Sequence, residues 1–398
     1  MKVREVAVTN VEGWLLPDGI DEVLPEQAQR IESTRRKLLD LYNLWGYDLV
    51  IPPLVEFAQS LLSGSGSDLD LMTFRLTDQI SGRMMGVRAD ITPQAARIDA
   101  HSLCRQGPSR LCYAGTVLHT KPRAPLESRS PISIGVELFG EAGLSADIEV
   151  IELFLKTLDT AGVDSVHLDL GHVDIFRGLL SDSGLEPEQQ RELFELLQRK
   201  AVAELNQWVA DNITDPQLSA QLTLLPTLSG GPDVLKRAQQ GLSGAPQVVI
   251  EALDDLQKIV TALSDNDVTI YLDLGELPGF HYHTGVVFAA YVQGYGKALG
   301  NGGRYDDIGE SFGRSRPATG FALDLKSLVT QAQAPVENAG GIYVPASDDP
   351  EVQQQIDKLR VEGHRVVRGF AGQKVDYREI NCDRQLVCSG GKYRVDRL

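Results

Sequence analysis

The sequence predicts an α+β protein in which an antiparallel sheet is flanked by helices, with a helical insertion and a small C-terminal α/β domain. Three observations support this fold class. Short runs of Val, Ile, Phe and Tyr alternate with glycines in the stretch 270–306, which is typical of antiparallel strands around a small-molecule pocket. Residues from about 180 to 263 are rich in Leu, Gln and Glu at helical spacing. Residues 340–398 alternate strand and helix signals.

We therefore divide the chain into a core of residues 1–335, which contains the insertion at about 180–263, and a C-terminal domain of residues 340–398. Helix boundaries inside the core carry clear signals. A helix is predicted from Pro25 to Trp45, because proline suits the first turn and Gly46 ends the helix. Thr92 is predicted to be the N-cap of another helix, and Gly162 to close the helix that starts at residue 145.

The remaining elements are read from β-branched and aromatic runs, and from apolar spacing. Predicted strands are 46–56, 74–76, 83–88, 112–119, 132–139, 166–170, 270–274, 286–292, 317–323, 342–345, 364–368, 386–388 and 392–395. Residues 74–76 and 83–88 are predicted to pair as a hairpin. Residues 63–67 are predicted to be a flexible loop because they alternate serine and glycine.

Charge and cysteine usage narrow the functional classes. The 398-residue chain carries a net charge of −17 at pH 7, which opposes nucleic-acid binding unless a local basic patch overrides it. The four cysteines are scattered and match neither a disulfide framework nor zinc-ligand spacing. No apolar run is long enough to cross a bilayer, and residues 1–12 lack a signal-peptide core. We expect a cytoplasmic protein with free thiols and no membrane partner.

Charged residues at strand ends are the first candidates for a binding site. Arg88 and Asp90 are two residues apart, so their side chains project to the same face. Asp90 beside Thr92 suits a ligand ammonium, whereas an internal Arg88–Asp90 ion pair is an equal alternative. Glu137 lies in an apolar strand, where it either lines a pocket for an amino group or faces solvent.

Two other motifs are weaker signals. The glycine-dense run 294–303 is not a Walker phosphate loop, because Lys297 is followed by Ala298 rather than Ser or Thr. His281 and His283 alternate and would share one face of a strand, but the sequence offers no third ligand nearby. We expect neither a metal nor a cofactor.

Several separated segments together resemble class II histidyl-tRNA synthetases over roughly the first five-sixths of the chain. Residues 46–56, 113–140 and 317–328 resemble the three class II motifs, residues 88–92 the amino-group segment, and residues 279–285 and 302–306 two histidine-specific motifs. The resemblance implies the class II fold, a dimer formed through the first motif, and a histidine-like pocket. That pocket would contain Arg88, Asp90, Thr92, Glu137, Tyr282, Arg304 and Tyr305.

The groups that grip nucleotide phosphates in that family are altered here. His119 and Lys121 stand where the second motif of that family has an arginine and an acid. Lys326-Ser327 replaces the Glu-Arg pair of the third motif. Pro278, His283 and Ser133 replace an arginine, a tyrosine and a glutamine, respectively. Phosphate oxygens call for bidentate, permanently charged guanidinium groups. Loss of one such group typically costs a factor of about a hundred or more in rate. We therefore expect no catalytic residues.

A synthetase-like core without phosphate-gripping arginines, followed by a short C-terminal domain, resembles the regulatory-subunit family of short-form ATP phosphoribosyltransferase. The resemblance implies a non-catalytic partner of a short catalytic subunit in the first step of histidine biosynthesis. It implies a hetero-octamer, activation of that subunit, histidine as a feedback effector and no tRNA partner. The alternatives are an active histidyl-tRNA synthetase-like enzyme that activates an amino acid, and a purely structural scaffold with a vestigial pocket.

Overall fold

The computed structural model describes residues 15–63, 67–122, 127–275, 282–332 and 340–398. Within it the chain forms two compact units, Met1–Ala334 and Pro335–Leu398. Parts of three predicted features lie outside the described residues: the centre of the 63–67 loop, Pro278, and residues 279–281, which include His281 of the His-x-His pair.

The strands are β1 Asp48–Leu49, β2 Val55–Phe57, β3 Phe74–Thr77, β4 Met84–Val87, β5 Ser109–Thr116, β6 Ile132–Phe139, β7 Val166–His172, β8 Ser229–Gly230, β9 Thr269–Asp273, β10 Val286–Val292, β11 Gly300–Arg304, β12 Ala318–Asp324, β13 Gly341–Val344, β14 Val366–Arg368, β15 Cys382–Ser389 and β16 Lys392–Arg397. The helices are α1 Pro25–Leu44, α2 Ala58–Leu61, α3 Ser67–Met72, α4 Thr92–Arg97, α5 Leu144–Ala161, α6 Val173–Leu180, α7 Pro187–Gln198, α8 Val202–Asn212, α9 Pro216–Leu224, α10 Val234–Gly241, α11 Gln247–Ala262, α12 Leu325–Gln331 and α13 Pro350–Val361.

A nine-stranded sheet with the order β1-β5-β6-β12-β11-β10-β7-β9-β8 organises the first unit. Its six central strands pair antiparallel, as predicted, while β1 and β9 join it through parallel pairs. Ile134, Val136 and Leu138 of β6 point into the main apolar core, which also contains Phe154 of α5. Because successive strand residues alternate between faces, Glu137 lies on the opposite face of the sheet.

Helix boundaries largely follow the sequence signals, with one correction. Gly162 ends α5 in the left-handed conformation, with a φ of +82°, which glycine adopts without steric cost. Helix α4 begins at Thr92 itself, so the prediction of Thr92 as its N-cap is wrong. The N-cap residue is Ile91, and the carboxylate of Asp90 before it accepts hydrogen bonds from the backbone N–H groups of Ile91 and Thr92, at 2.6 and 3.3 Å.

Residues 187–262 are helical as predicted, forming α7 to α11, with the short strand β8 between α9 and α10. The second unit has a four-stranded sheet in the order β14-β13-β15-β16, with α13 as its described helix. Its strands β15 and β16 are longer than predicted and pair antiparallel, whereas β13 pairs parallel to β14 and β15. None of the helices in the described part of the chain combines the length and apolar character needed to cross a membrane.

Candidate functional site

A cavity of about 320 Å³ lies against β6, β11 and β12. Five of the seven predicted site residues line it together: Asp90, Thr92, Glu137, Tyr282 and Tyr305. Four positions at which the chain departs from the synthetase pattern, His119, Ser133, His283 and Ser327, line it too. The fold therefore brings together residues that lie more than two hundred positions apart in the sequence.

Glu137 is the centre of the inner end of this cavity. Its side chain is buried, with 1% exposed, and accepts a hydrogen bond from the Tyr113 hydroxyl at 3.0 Å and another from the Tyr305 hydroxyl. Burial raises the pKa of Glu137 to about 8, the charge of Asp90 adds to that shift, and the hydroxyl donors oppose it. At neutral pH this carboxyl is therefore mainly protonated.

Glycines let the carboxyl of Glu137 approach the neighbouring strand. A methyl group at Gly320 on β12 would overlap Oε2 of Glu137 and lie 2.5 Å from the carbonyl oxygen of Val136. A side chain at Gly135 would lie 2.8 Å from the Tyr113 hydroxyl oxygen. Neither Gly320 nor Tyr113 was among the predicted site residues. Tyr113 and Glu137 sit on paired strands with an offset of two residues, which becomes visible only once the register is known.

Aromatic rings form one wall of the inner end. The rings of Tyr282 and Tyr305 stack with centroids 5.1 Å apart, and His283 meets Tyr282 edge-on at 5.3 Å. The hydroxyl oxygen of Tyr282 is buried and has no hydrogen-bond partner among the described residues. Because an unsatisfied buried hydroxyl costs free energy, this atom is a natural contact for a polar ligand group.

Asp90 and Thr92 complete the inner end from the start of α4. The hydroxyl of Thr92 lies 3.3 Å from that of Tyr113, which connects it to the hydrogen bonds around Glu137. Burial raises the pKa values of Tyr113, Tyr282 and Tyr305 well above their usual range, and the charge of Glu137 is the next cause for each. These three hydroxyls are therefore neutral hydrogen-bonding groups rather than charged ones.

Arg304 does not line the cavity, although it precedes Tyr305 directly. Its guanidinium is buried on the other face of β11, where it contacts Asp147 of α5 at 2.7 to 3.1 Å and Asp306 at 3.2 Å. Adjacent strand residues face opposite sides of a sheet, so Arg304 and Tyr305 cannot both point into the cavity. Arg304 fixes α5 to the sheet.

Arg88 is also absent from the cavity lining. Its Nε donates to the carbonyl oxygen of Thr116 at 2.9 Å and its Nη1 to that of Pro52 at 2.7 Å. Burial lowers the pKa of Arg88, opposed by the charge of Glu56. The predicted alternative of an Arg88–Asp90 ion pair is not among the described ion pairs either. Arg88 ties the end of β5 to the proline segment before β2.

The outer end of the cavity carries the altered phosphate-binding positions. Ser327 donates its hydroxyl to Asp324 at 2.7 Å, and Asp324 also accepts the backbone N–H groups of Lys326 and Ser327 at 3.2 and 3.1 Å. The Lys326 ammonium bonds Asp21 at 3.0 Å instead of reaching the cavity. The ring of His119 lies 3.0 Å from the Ala89 carbonyl oxygen. The side chains of Ser327, Lys326 and His119 thus already interact with other groups of the protein.

The lining is electrostatically unsuited to a triphosphate. Its carboxyl groups are those of Asp90, Glu127, Glu137 and Asp324, whereas Lys297 is its lysine and already pairs with Glu127. No arginine belongs to the lining that the described residues form. Asp324 and the Lys297–Glu127 pair were not predicted, and their contribution depends on loops that meet only in the folded chain. The cavity suits a cationic group better than phosphate.

Comparisons with known proteins agree with this architecture. Residues 19–328 match the histidyl-tRNA synthetase family, and residues 339–396 match the ATP phosphoribosyltransferase subunit HisZ C-terminal domain. The regulatory subunits of ATP phosphoribosyltransferase from Chromohalobacter salexigens and Pseudomonas syringae pv. tomato are each 54% identical to this chain. Each alignment covers 98% of the chain and at least 99% of the relative. The chain belongs to the ATP phosphoribosyltransferase regulatory subunit family. The predicted family and non-catalytic class are thereby confirmed.

Solved structures support the same fold for this regulatory subunit. An ATP phosphoribosyltransferase regulatory subunit/histidyl-tRNA synthetase from Bacillus halodurans superposes with a TM-score of 0.81 at 27% identity, covering 92% of this chain and 95% of that one. Histidyl-tRNA synthetase from Nostoc superposes with a TM-score of 0.77 at 16% identity, covering 94% and 91%. The predicted class II fold is confirmed. The described residues contain no cluster of three or more metal-ligating side chains.

Proposed function

We propose that this regulatory subunit activates a separate, short catalytic subunit of ATP phosphoribosyltransferase in the first step of histidine biosynthesis, and that it makes that subunit sensitive to histidine. The observation that carries this proposal is a ligand-sized cavity in which two altered phosphate-binding positions hold His119 and Ser327, and whose lining contains carboxyl groups and no arginine among the described residues. Family membership supports the regulatory part. The cavity supports a role for a small effector.

The ligand that the cavity suits best is histidine or a closely similar amine. In this proposal Asp90 and Thr92 receive its ammonium group, and Glu137 and Tyr282 receive a polar side chain, which is supported by their shared position in the cavity lining. The stacked rings of Tyr282 and Tyr305 offer a flat wall for a planar ring. In this proposal Arg88 and Arg304 stabilise the fold around the cavity and do not contact the ligand, since both guanidinium groups are hydrogen-bonded elsewhere.

Phosphoribosyl transfer, assayed with and without this subunit, tests the regulatory role. We expect the catalytic subunit to be faster in the complex and to be inhibited by histidine only there. The variant Tyr282→Phe removes the unpartnered hydroxyl while keeping the ring, so it should weaken histidine inhibition and leave activation intact. Tyr271→Phe, at an exposed position of β9 outside the cavity, is the matched control. An unchanged rate in the complex would refute the proposal.

Histidine-dependent ATP–pyrophosphate exchange distinguishes this role from that of an amino-acid-activating enzyme. Activation requires ATP to be held by its phosphates, and the described lining offers four carboxyl groups and a lysine paired with one of them. We therefore expect no exchange above background. A robust exchange rate from the purified chain would favour the enzymatic alternative.

Assembly is the third part of the proposal: a dimer through the first-motif region, within a hetero-octamer located in the cytoplasm, and without tRNA. In the edge strand β1 and the segment after it, Leu49, Ile51 and Leu54 have 50, 86 and 49% of their surface exposed to solvent. Neighbouring exposed apolar side chains on a sheet edge favour association. The acidic net charge of −17 supports the absence of tRNA.

A further inference from the structure

Tyr282 and Tyr305 form the aromatic wall of the cavity, but they are held in different ways. Tyr305 is held at both ends, because its backbone N–H donates to the carbonyl oxygen of Ala318 at 2.8 Å and its hydroxyl donates to Glu137. Tyr282 lies four residues before β10, outside the pairing of that strand, and its buried hydroxyl has no hydrogen-bond partner in the described part of the chain. The position of the Tyr282 ring therefore depends on bonds made by its neighbours along the chain.

Thr284 bonds the segment that carries Tyr282 to the segment that carries Tyr305. Its backbone N–H donates to the carbonyl oxygen of Arg304 at 2.7 Å, and its hydroxyl oxygen accepts the backbone N–H of Asp306 at 2.9 Å. The two bonds thus lie on either side of Tyr305 in the sequence. Because Thr284 follows Tyr282 by only two residues, these bonds keep the two rings near each other, and the ring centroids lie 5.1 Å apart.

Asp306 extends this connection to the strand beside Glu137. Its carboxylate accepts the backbone N–H of Ala318 at 2.9 Å, and Ala318 begins β12, whose Gly320 lies against the carboxyl of Glu137. The hydroxyl of Thr284 is the acceptor for the backbone N–H of Asp306 among the described residues. If that hydroxyl is removed, the N–H is left without an acceptor, and the two segments have to move to satisfy it.

We propose that Thr284 is a positioning residue, whose hydroxyl holds residues 282–285 against residues 304–306 and thereby places the ring of Tyr282 for contact with the ligand. Thr284 is absent from the described lining of the cavity, so it acts through Tyr282 rather than by touching the ligand. This inference rests on the proposed function, because it takes the stacked rings as the wall that receives a planar ligand ring. Serine offers the same acceptor as threonine, whereas valine keeps nearly the same shape without it.

Calorimetric titration of L-histidine into the full-length chain, alone and with the catalytic subunit, measures the effect on binding. We expect Thr284→Val to bind histidine about tenfold more weakly, because its Asp306 N–H lacks an acceptor. Thr284→Ser should bind within about twofold of the wild type. Thr261→Val, which removes an exposed hydroxyl bonded within α11, is the matched control and should bind as the wild type. Wild-type affinity in Thr284→Val would overturn the inference.

A double-mutant cycle with Tyr282→Leu shows whether Thr284 acts through the Tyr282 ring. In the Tyr282→Leu protein no ring remains to be placed, so adding Thr284→Val should change histidine affinity by less than about twofold. A further loss as large as that in the wild-type background would mean that Thr284 supports binding through the fold in general, and it would overturn the inference.

¹⁹F nuclear magnetic resonance of the 3-fluorotyrosine-labelled chain, without ligand, reports on the ring itself. The Tyr282 signal, assigned by its absence from Tyr282→Phe, should move in Thr284→Val and return in Thr284→Ser, whereas the Tyr343 signal in the second unit should stay unchanged. Thr284→Ala, which also lacks the acceptor, replaces Thr284→Val if circular dichroism shows that variant to be unfolded. An unmoved Tyr282 signal would overturn the inference. Absence of L-histidine binding to the wild type, alone and with the catalytic subunit, would instead refute the proposed function, and the ¹⁹F signals would still decide whether Thr284 positions the ring.

Discussion

Replacing Glu137 by glutamine should change how the stability of the protein depends on pH. Glu137 is buried, and burial is the largest cause that raises its pKa to about 8 from the ordinary 4.5. Between these values the folded chain keeps a proton that the unfolded chain releases. The contribution of Glu137 to stability is therefore fully present below about pH 4.5 and is lost as pH rises towards 8. Glutamine keeps the shape and stays neutral.

The magnitude follows from proton linkage. A difference of one bound proton changes the free energy of unfolding by about 1.4 kcal/mol per pH unit. From pH 5.5 to 7.5 the wild type should therefore lose roughly 2 to 3 kcal/mol relative to Glu137→Gln. Other titrating groups cancel in this comparison, since both proteins contain them. Above about pH 8 the difference should level off because the carboxyl then ionises in both states.

Urea unfolding at several pH values, followed by tryptophan fluorescence, measures this difference. Both proteins must be compared at equal concentration, because association stabilises the folded state. The variant Glu152→Gln, on α5 outside the cavity, is the control, and its stability relative to the wild type should not change between these pH values. A difference between wild type and Glu137→Gln that stays constant from pH 5.5 to 7.5 would show that Glu137 is ionised in the folded protein, and the electrostatic argument would fail.

Three further changes test other parts of the structure. Gly320→Ala places a methyl group against Glu137, and overpacking of this kind should cost about 1 to 3 kcal/mol of stability and abolish histidine binding; binding at wild-type affinity would contradict the described contact. Arg304→Met leaves Asp147 buried without its partner, so we expect a loss of about 3 to 5 kcal/mol by urea unfolding; wild-type stability with lost binding would instead place Arg304 at the ligand. Ile51→Glu should halve the mass measured by light scattering if the exposed β1 region forms the dimer, and an unchanged mass would exclude that surface.

Local signals in the sequence predicted the fold correctly, whereas the binding roles of the candidate site residues stay a prediction. Helix α1 begins at Pro25 and α5 ends before Gly162, as predicted, because proline and glycine act on the backbone of their own turn. Asp90, Thr92, Glu137, Tyr282 and Tyr305 do meet at one cavity, as the motif resemblance implied. A motif predicts the positions of these residues because proteins that share a fold carry that motif at the same place in the fold.

The two arginines show where such reasoning stops. Arg304 and Tyr305 share one motif, yet they lie on opposite faces of the sheet. Arg88 bonds carbonyl oxygens of residues 52 and 116, which no local pattern connects to it. Motif membership identifies a neighbourhood in the fold, whereas the direction of a side chain depends on strand register and on the groups that compete for it.

The sequence by itself determined the class of this protein, because the loss of guanidinium groups from phosphate-binding positions is a property of residue identity. It also determined most of the helices and strands through local periodicity and backbone preferences, whereas the central strand β11 lies in a glycine-dense run that was not predicted to be a strand. Only the tertiary structure decided which carboxyl lies in a dry, hydroxyl-lined site and which arginines are bonded elsewhere. Burial and charge pairing arise between segments distant in the chain, so they exist only after the strands have aligned.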